Sequence, residues 1–156
     1  MEIRKAGRSD VEAITNLMHD FAAFEDLSEY FESTPENLAA VMFGDRSFVN
    51  GLVAEDKGEV VAYALFYPNY ATFRGQRGMY LEDIFISPVH RGQGIGEAML
   101  RRIAQIAKEQ GCERIDFQVL EWNQPAIGFY EKLGAHRDES ERHFKFTDAA
   151  FEELAR

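Results

Sequence analysis

A glycine-rich segment between a strand-like run and a helix-like run most limits how this chain can fold. The segment "HRGQGIG" (residues 90–96) follows "MYLEDIFISP" and precedes "EAMLRRIAQIAKEQ". Glycine lets the main chain approach a ligand closely, and the first turn of a helix offers unpaired N–H groups at the positive end of a dipole. The segment therefore predicts an anion-binding turn between a strand and a helix.

The spacing of the glycines excludes two other phosphate-binding motifs. A dinucleotide fingerprint needs G-x-G-x-x-G near the start of its domain, whereas this segment lies mid-chain with the pattern R-G-x-G-x-G. A Walker loop needs a lysine that the segment lacks. A ligand-free turn stays open, but Gly94 and Gly96 enter the helix, where each glycine costs about 1 kcal/mol relative to alanine.

Length and composition predict one globular domain over residues 1–156. The hydrophobic content of 46% and the charged content of 28% exclude disordered and fibrous classes. No apolar run approaches the roughly 18 residues of a membrane span, and the N-terminus is unlike a signal peptide. Cys112 is the only cysteine, so we expect no internal disulfide and no cysteine cluster for zinc. These features favour a cytoplasmic protein without a metal.

The net charge of −10 bears on possible partners. An acidic surface repels phosphate groups, so we expect no nucleic-acid partner. The same surface can concentrate a cationic substrate, although it also promotes solubility. Charge alone does not separate these two roles.

The hydrophobic pattern predicts a mixed α/β domain, with an antiparallel meander followed by a strand–helix–strand unit. The predicted strands are "EIRKA", "FVNGLVAED", "EVVAYALFY", "MYLEDIFI", "RIDFQVL" and "HFKF". Residues 9–12 are typical of a capping box, and Thr34 with Pro35 predicts a second helix start. A polar loop is expected over residues 70–78, and Gly111 is expected to end the helix after the glycines. The C-terminal half adds a short helix ("AIGFYEKL") and a terminal helix ("TDAAFEELA").

Two linked motifs carry a family resemblance. "LEDIFISPVHRGQGIGEAML" (81–100) resembles the acetyl-CoA-binding core of the GNAT N-acetyltransferases, and "EWNQPAIGFYEKLGA" (121–135) resembles the next motif of that family. "YLEDIFI" and "FAAFEDLSEY" are similar to the diamine acetyltransferases, which act on spermidine, spermine or thialysine. The resemblance implies the GNAT acyl-CoA N-acyltransferase fold, a mostly antiparallel twisted sheet flanked by helices. It also implies acetyl-CoA as cosubstrate and a homodimer.

The resemblance implies where the cosubstrate binds. Main-chain amides of the glycine segment would hold the CoA diphosphate, and the main chain of the preceding strand would pair with the pantetheine arm. The residues implicated in cofactor binding are Ile84, Phe85, Ile86, Arg91, Gly92, Gln93, Gly94, Ile95, Gly96, Asn123 and Tyr130. Two alternatives stay open: the Arg91 side chain can pack locally, and Asn123 can cap a helix.

Acetyl transfer to an amine requires two proton transfers. An alkylammonium with a pKa of about 10.4 is neutral in only about one molecule per thousand at pH 7, so a carboxylate must take its proton. Glu82 and Asp83 are adjacent in a strand and are predicted to point to opposite faces. The resemblance favours Glu82 as the base or as the group that positions a water, and Asp83 as a second acidic contact near the amine. It also favours Tyr130 as the acid for the leaving thiolate. Asp83 is alternatively a solvated strand residue. We expect direct transfer in a ternary complex.

The acceptor is predicted to be a small cationic amine: a polyamine, a diamine or a lysine-like amino acid. Glu25 follows the first helix, where the diamine enzymes place acceptor contacts, and it would bind the amine together with Glu82 and Asp83. The segment before "YLED" departs from the diamine pattern, because Ala71 and Phe73 stand where that pattern has aspartate and tryptophan. A non-catalytic acyl-CoA-binding or sensing module is the alternative function.

Overall fold

A computed structural model describes residues 1–156. The chain divides into two compact units, residues 1–118 and residues 119–156. No helix combines the length and the apolar character that crossing a bilayer would need. A single domain over residues 1–156 and a cytoplasmic location stay predictions of the sequence.

The first unit contains a five-stranded sheet with the order β1-β2-β3-β4-β5. The strands are β1 (Glu2–Lys5), β2 (Asn50–Asp56), β3 (Glu59–Ala71), β4 (Gln76–Ile86) and β5 (Cys112–Asp116). The first four strands are antiparallel neighbours, and β5 runs parallel to β4. The predicted meander followed by a strand–helix–strand unit is therefore confirmed.

Helices cover both faces of this sheet. They are α1 (Val11–Phe24), α2 (Pro35–Phe43) and α3 (Ile95–Glu109). On α3, Ile95, Met99 and Ile103 recur every four residues and are buried against one face, as an amphipathic helix requires. We call this the α3 face. The other face, which we call the α1/α2 face, is covered by buried residues of α1 and α2 that include Ile14 and Leu38.

The start of α1 differs from the prediction. The helix begins at Val11, and the expected capping box at residues 9–12 is wrong. Asp10 instead accepts a hydrogen bond from the Gly7 N–H at 2.7 Å and two from the Arg4 guanidinium at 2.7 and 2.9 Å. The Arg4 guanidinium holds the pKa of the buried Asp10 carboxyl below its usual range. An ion pair between β1 and the residue before α1 is therefore present where the capping box was predicted.

The start of α2 and the end of α3 follow the prediction. The Thr34 hydroxyl accepts a hydrogen bond from the Asn37 N–H at 3.3 Å, and Pro35 occupies the first turn. Gly111 follows α3 with a φ of 75°, in the left-handed region that favours glycine.

The β3–β4 connection is shorter than the loop predicted over residues 70–78. Strand β3 runs to Ala71 and pairs there with Gln76, the first residue of β4. Only residues 72–75 form a turn, and Phe73 at its tip is fully exposed. The strands extend through a polar sequence because paired main-chain groups stabilise them even where the side chains are not apolar. Strand β5 is also shorter than predicted, since it ends at Asp116.

The second unit contains α4 (Gln124–Lys132) and α5 (Asp148–Leu154), which confirms both predicted helices. The strand predicted at "HFKF" (143–146) is wrong, since the segment forms no regular structure. Phe144 and Phe146 are 88% and 65% exposed. The segment has the composition of a strand, but a strand forms only where its main-chain groups find a partner strand.

Candidate active site

Strand β4 carries one extra residue at Glu82. Asp83 pairs with Leu65, and Leu81 pairs with the very next residue of β3, so Glu82 has no partner across the sheet. This arrangement is a β-bulge. Leu81 and Ile84 both pack against the α3 face although they are three residues apart. The bulge therefore turns both residues between them toward the opposite face.

The carboxylates of Glu82 and Asp83 lie on the α1/α2 face, each bound to a tyrosine of β3. The Tyr67 hydroxyl donates to Glu82 Oε2 at 2.7 Å, and the Tyr63 hydroxyl donates to Asp83 Oδ2 at 3.1 Å. Tyr63 and Tyr67 are four residues apart in a strand and so share a face. The prediction that Glu82 and Asp83 point to opposite faces is wrong, because the bulge interrupts the alternation on which it rested.

Three carboxyl groups that the sequence predicted as acceptor contacts interact electrostatically on the α1/α2 face. Burial raises the pKa of Asp83 to about 6, and the charges of Glu82 and Glu25 raise it as well, while the hydrogen bond from Tyr63 opposes them. Burial also raises the pKa of Glu25. The structure therefore brings Glu25, Glu82 and Asp83 together as a cluster that we call the carboxylate triad.

Aromatic rings that sequence reasoning missed extend from the triad along the same face. The rings of Tyr67 and Tyr80 stack with their centroids 5.5 Å apart, and Phe48 meets Tyr67 edge-on at 5.7 Å. Burial and the bond to Glu82 raise the pKa of the Tyr67 hydroxyl, so it remains a donor at neutral pH. The alternation of "YALFY" could have indicated that Tyr63 and Tyr67 share a face, but not what they contact.

The edge of β4 beside the triad is not occupied by β5. The two strands pair only from Arg77 to Tyr80, where Tyr80 faces Asp116, whereas β4 continues to Ile86. The side chains of Ile84 and Ile86 pack on the α3 face, and Phe85 is buried on the α1/α2 face. Only the main chain of these three residues is therefore left for a ligand at this edge.

The glycine segment forms an open hollow at the start of α3. Gly92 and Gly94 have φ angles of 74° and 79°, and a Cβ added to either would meet no atom within 4 Å. The first hydrogen bond of the helix runs from the Ala98 N–H to the Gly94 carbonyl. The N–H groups of Ile95 and Gly96 therefore have no partner within the helix. Space, unpaired donors and a helix dipole suit the CoA diphosphate.

The Arg91 side chain packs locally, as the alternative to phosphate contact allowed. Its Nε donates to the Ile86 carbonyl at 3.0 Å, and its guanidinium lies 4.7 Å from the ring centre of Phe24 and 5.2 Å from that of Phe85. Its main-chain N–H points to the Pro88 carbonyl at 3.3 Å. Arg91 thereby connects the glycine segment to the end of β4 and to the last residue of α1.

In the second unit, Asn123 directly precedes α4 and Tyr130 lies within this helix. Asn123 is buried and caps this helix, since its Oδ1 accepts a hydrogen bond from the Ala126 N–H at 3.3 Å. Burial raises the pKa of the Tyr130 hydroxyl to about 12. This hydroxyl is therefore protonated at neutral pH and can donate a proton or a hydrogen bond.

Comparison with known proteins identifies the family. Residues 12–135 match the model of the Acetyltransferase (GNAT) family. The chain belongs to the GNAT family. The resemblance drawn from the two motifs is confirmed, and this GNAT protein is an acetyl-CoA-dependent N-acetyltransferase.

Individual relatives agree with this assignment. "Thialysine N-epsilon-acetyltransferase" from Bos taurus is 38% identical over 164 residues, which cover 98% of this chain and 96% of the relative. "L-ornithine N5-acetyltransferase NATA1" from Arabidopsis thaliana is 28% identical and covers 97% of this chain and 86% of its own length. The solved structure of an integron cassette protein from V. cholerae superposes with a TM-score of 0.83 at 22% identity, covering 99% of this chain and 96% of that one. The predicted GNAT fold is thereby confirmed.

Proposed function

We propose that this GNAT acetyltransferase moves the acetyl group of acetyl-CoA to a primary amine of a small cationic acceptor, by direct transfer in a ternary complex. The observation that carries this proposal is the carboxylate triad on the α1/α2 face, beside the unpaired edge of β4. Negative charge at a partly buried site favours an ammonium-bearing substrate.

The acceptor class is a polyamine, a diamine or a lysine-like amino acid. Two relatives are named for acetyl transfer to the N-epsilon of thialysine and to N5 of L-ornithine, and both of these are amines of basic amino acids. Glu25, Glu82 and Asp83 would bind the ammonium groups. The rings of Phe48, Tyr67 and Tyr80 offer apolar surface for the methylene groups of such a chain.

Main-chain groups would hold the cosubstrate. The diphosphate would bind in the hollow formed by Gly92, Gln93, Gly94, Ile95 and Gly96. Arg91 would hold this segment against the end of β4 through its bond to the Ile86 carbonyl. The main chain of residues 84–86 would pair with the pantetheine arm, and an N–H on this edge would stabilise the thioester oxygen as it becomes negative. Asn123 and Tyr130 would also bind the cosubstrate, because they match the second motif of the family.

Glu82 would act as the base. It takes one proton from the ammonium, directly or through a water, so that the nitrogen can form a bond to the acetyl carbon while the bond from carbon to sulfur breaks. Recovering the neutral amine from about one part in a thousand at pH 7 is worth roughly 4 kcal/mol. Tyr130 would give its proton to the sulfur, and the second proton that the nitrogen loses as the amide forms would return to the Tyr130 oxygen through water. The products are then the amide, the free thiol and one proton held by Glu82.

Replacing Tyr130 with phenylalanine should lower kcat by roughly ten- to a hundredfold and change acetyl-CoA affinity less. The loss is moderate because a thiolate with a pKa of about 8.5 leaves readily even without an acid. Tyr70→Phe, which removes an exposed hydroxyl from β3, is the matched control and should retain wild-type turnover. Equal kcat values in the two variants would contradict the acid role.

Thiol release from acetyl-CoA in the presence of a panel of amines tests the proposed function. The panel should contain thialysine, lysine, ornithine, spermidine and a neutral amine, and we expect release with at least one dibasic compound. Coenzyme A binding without release from any amine would contradict the proposal and favour the non-catalytic acyl-CoA module.

We also propose that the chain forms a homodimer. Large apolar side chains of the second unit are exposed in the single chain. The exposed side chains are Phe144, Phe146, Phe151 and Leu154. Sedimentation equilibrium should give the mass of two chains, and a monomer at micromolar concentration would count against the dimer.

A further inference from the structure

Tyr63 is a buried tyrosine whose hydroxyl donates a hydrogen bond to one carboxylate. Its side chain has 0% exposed surface and lies in the apolar cluster of the α1/α2 face with Val53, Leu65 and Phe85. A phenylalanine would fill this space without needing a hydrogen-bond partner, whereas a buried hydroxyl must find one. The partner is Asp83 Oδ2 at 3.1 Å.

The surroundings of Asp83 otherwise favour its neutral form. Glu82 of the same strand and Glu25 from the segment after α1 both bring negative charge to it, and burial weakens its hydration. Tyr63 of β3 is the group that opposes them, because a hydrogen bond donated to a carboxylate stabilises its charged form. The balance leaves the pKa of Asp83 at about 6.

We propose that Tyr63 is a positioning residue that keeps Asp83 ionised and fixed in orientation at neutral pH, so that the acceptor ammonium meets Glu82 and Asp83 as two charged carboxylates. The inference rests on the proposed function, since it assigns the bulged pair to amine binding. It explains why the apolar cluster contains one hydroxyl and why that hydroxyl is directed at the bulge.

Tyr63→Phe should move the acidic limb of the kcat/KM profile for the acceptor upward by about one pH unit, the size of one hydrogen bond to a charged group. With the pKa of Asp83 raised from about 6 to about 7, kcat/KM should fall about fivefold at pH 6 and about twofold at pH 7. It should match the wild type at pH 8.5, and KM for acetyl-CoA should not change. A purely structural defect would lower activity at every pH.

A second substitution at the same position should act in the opposite direction. 3-Fluorotyrosine at position 63 keeps the shape and has a more acidic, stronger donating hydroxyl, so it should move the acidic limb downward. This substitution keeps the inference testable if Tyr63→Phe folds poorly. Tyr70→Phe again serves as the control that leaves the profile unchanged.

Carbon-13 NMR titration of the Asp83 carboxyl, assigned by its absence in Asp83→Asn, separates this inference from the proposed function. The titration needs no turnover, so a chain that acetylates no amine contradicts the proposed function but still reports on Tyr63. We expect the Asp83 midpoint to rise in Tyr63→Phe, and Tyr63→Phe to have no further kinetic effect when combined with Asp83→Asn. An unchanged midpoint in Tyr63→Phe, with an unchanged kinetic profile, would overturn the inference.

Discussion

Replacing Glu82 with glutamine should lower kcat at pH 7 by about 10³-fold, since a base at this position recovers an amine that is neutral in about one molecule per thousand. Glutamine keeps the shape, and its amide oxygen can still accept the hydrogen bond that Tyr67 donates at 2.7 Å. What it loses is the capacity to take a proton. The loss should shrink as the pH rises toward 10, because the amine is then neutral without help.

Steady-state thiol release between pH 6 and pH 10 would measure kcat and its pH dependence. Calorimetric titration would measure the affinity for acetyl-CoA. Glu59→Gln removes an exposed carboxylate from the far end of β3 and should leave kcat and its pH dependence as in the wild type. A Glu82→Gln enzyme with wild-type kcat would remove Glu82 from the base role.

The second large effect is expected at the glycine hollow. Gly94→Asp should weaken coenzyme A binding by about 10²- to 10³-fold, because a carboxylate about 4 Å from a diphosphate costs about 4 kcal/mol at an effective dielectric constant of 20. The substituted side chain enters open space, as no atom lies within 4 Å of the added Cβ. The loss should therefore come from repulsion of the ligand and not from a clash within the protein.

Gly58→Asp is the matched control for this variant. Gly58 lies in the β2–β3 turn with a φ of 85° and equally open space, so both variants carry the same left-handed penalty of about 1–2 kcal/mol. Thermal melting should thus shift by similar amounts in both, whereas calorimetry should show weakened coenzyme A binding only in Gly94→Asp. Equal affinities in the two variants would place the diphosphate elsewhere.

The order of the elements could be predicted because the patterns behind it are local. Apolar residues every four positions indicated the buried side of α3, and Gly111 indicated its end. The cap of α1 was missed because Asp10 is held by Arg4, and Arg4 also binds Glu55, 51 residues along the chain. The strand predicted at 143–146 is wrong for a related reason, because a strand depends on a partner strand and not on the segment alone.

The acidic pair of the site could be predicted by residue type but not by geometry. "YLEDIF" gives no sign of a bulge, since the bulge arises from the demand that Leu81 and Ile84 both fill the α3 face. The hydrogen bonds of Tyr63 and Tyr67 depend on that bulge and therefore could not be predicted either. The conformation of the glycine segment could be predicted, because glycine is the residue that adopts left-handed φ angles without steric cost.

The extra residue in β4 gives the strand two neighbouring acids on one face, where strict alternation would leave room for one. Removing position 82 would restore strict alternation, leave Asp83 opposite Leu65, and keep Ile84 and Ile86 on the α3 face. The shortened chain should therefore keep its interior and lose one carboxylate. A one-codon deletion at this position is thus expected to behave like a substitution, because it removes a chemical group and leaves the packing of the sheet in place.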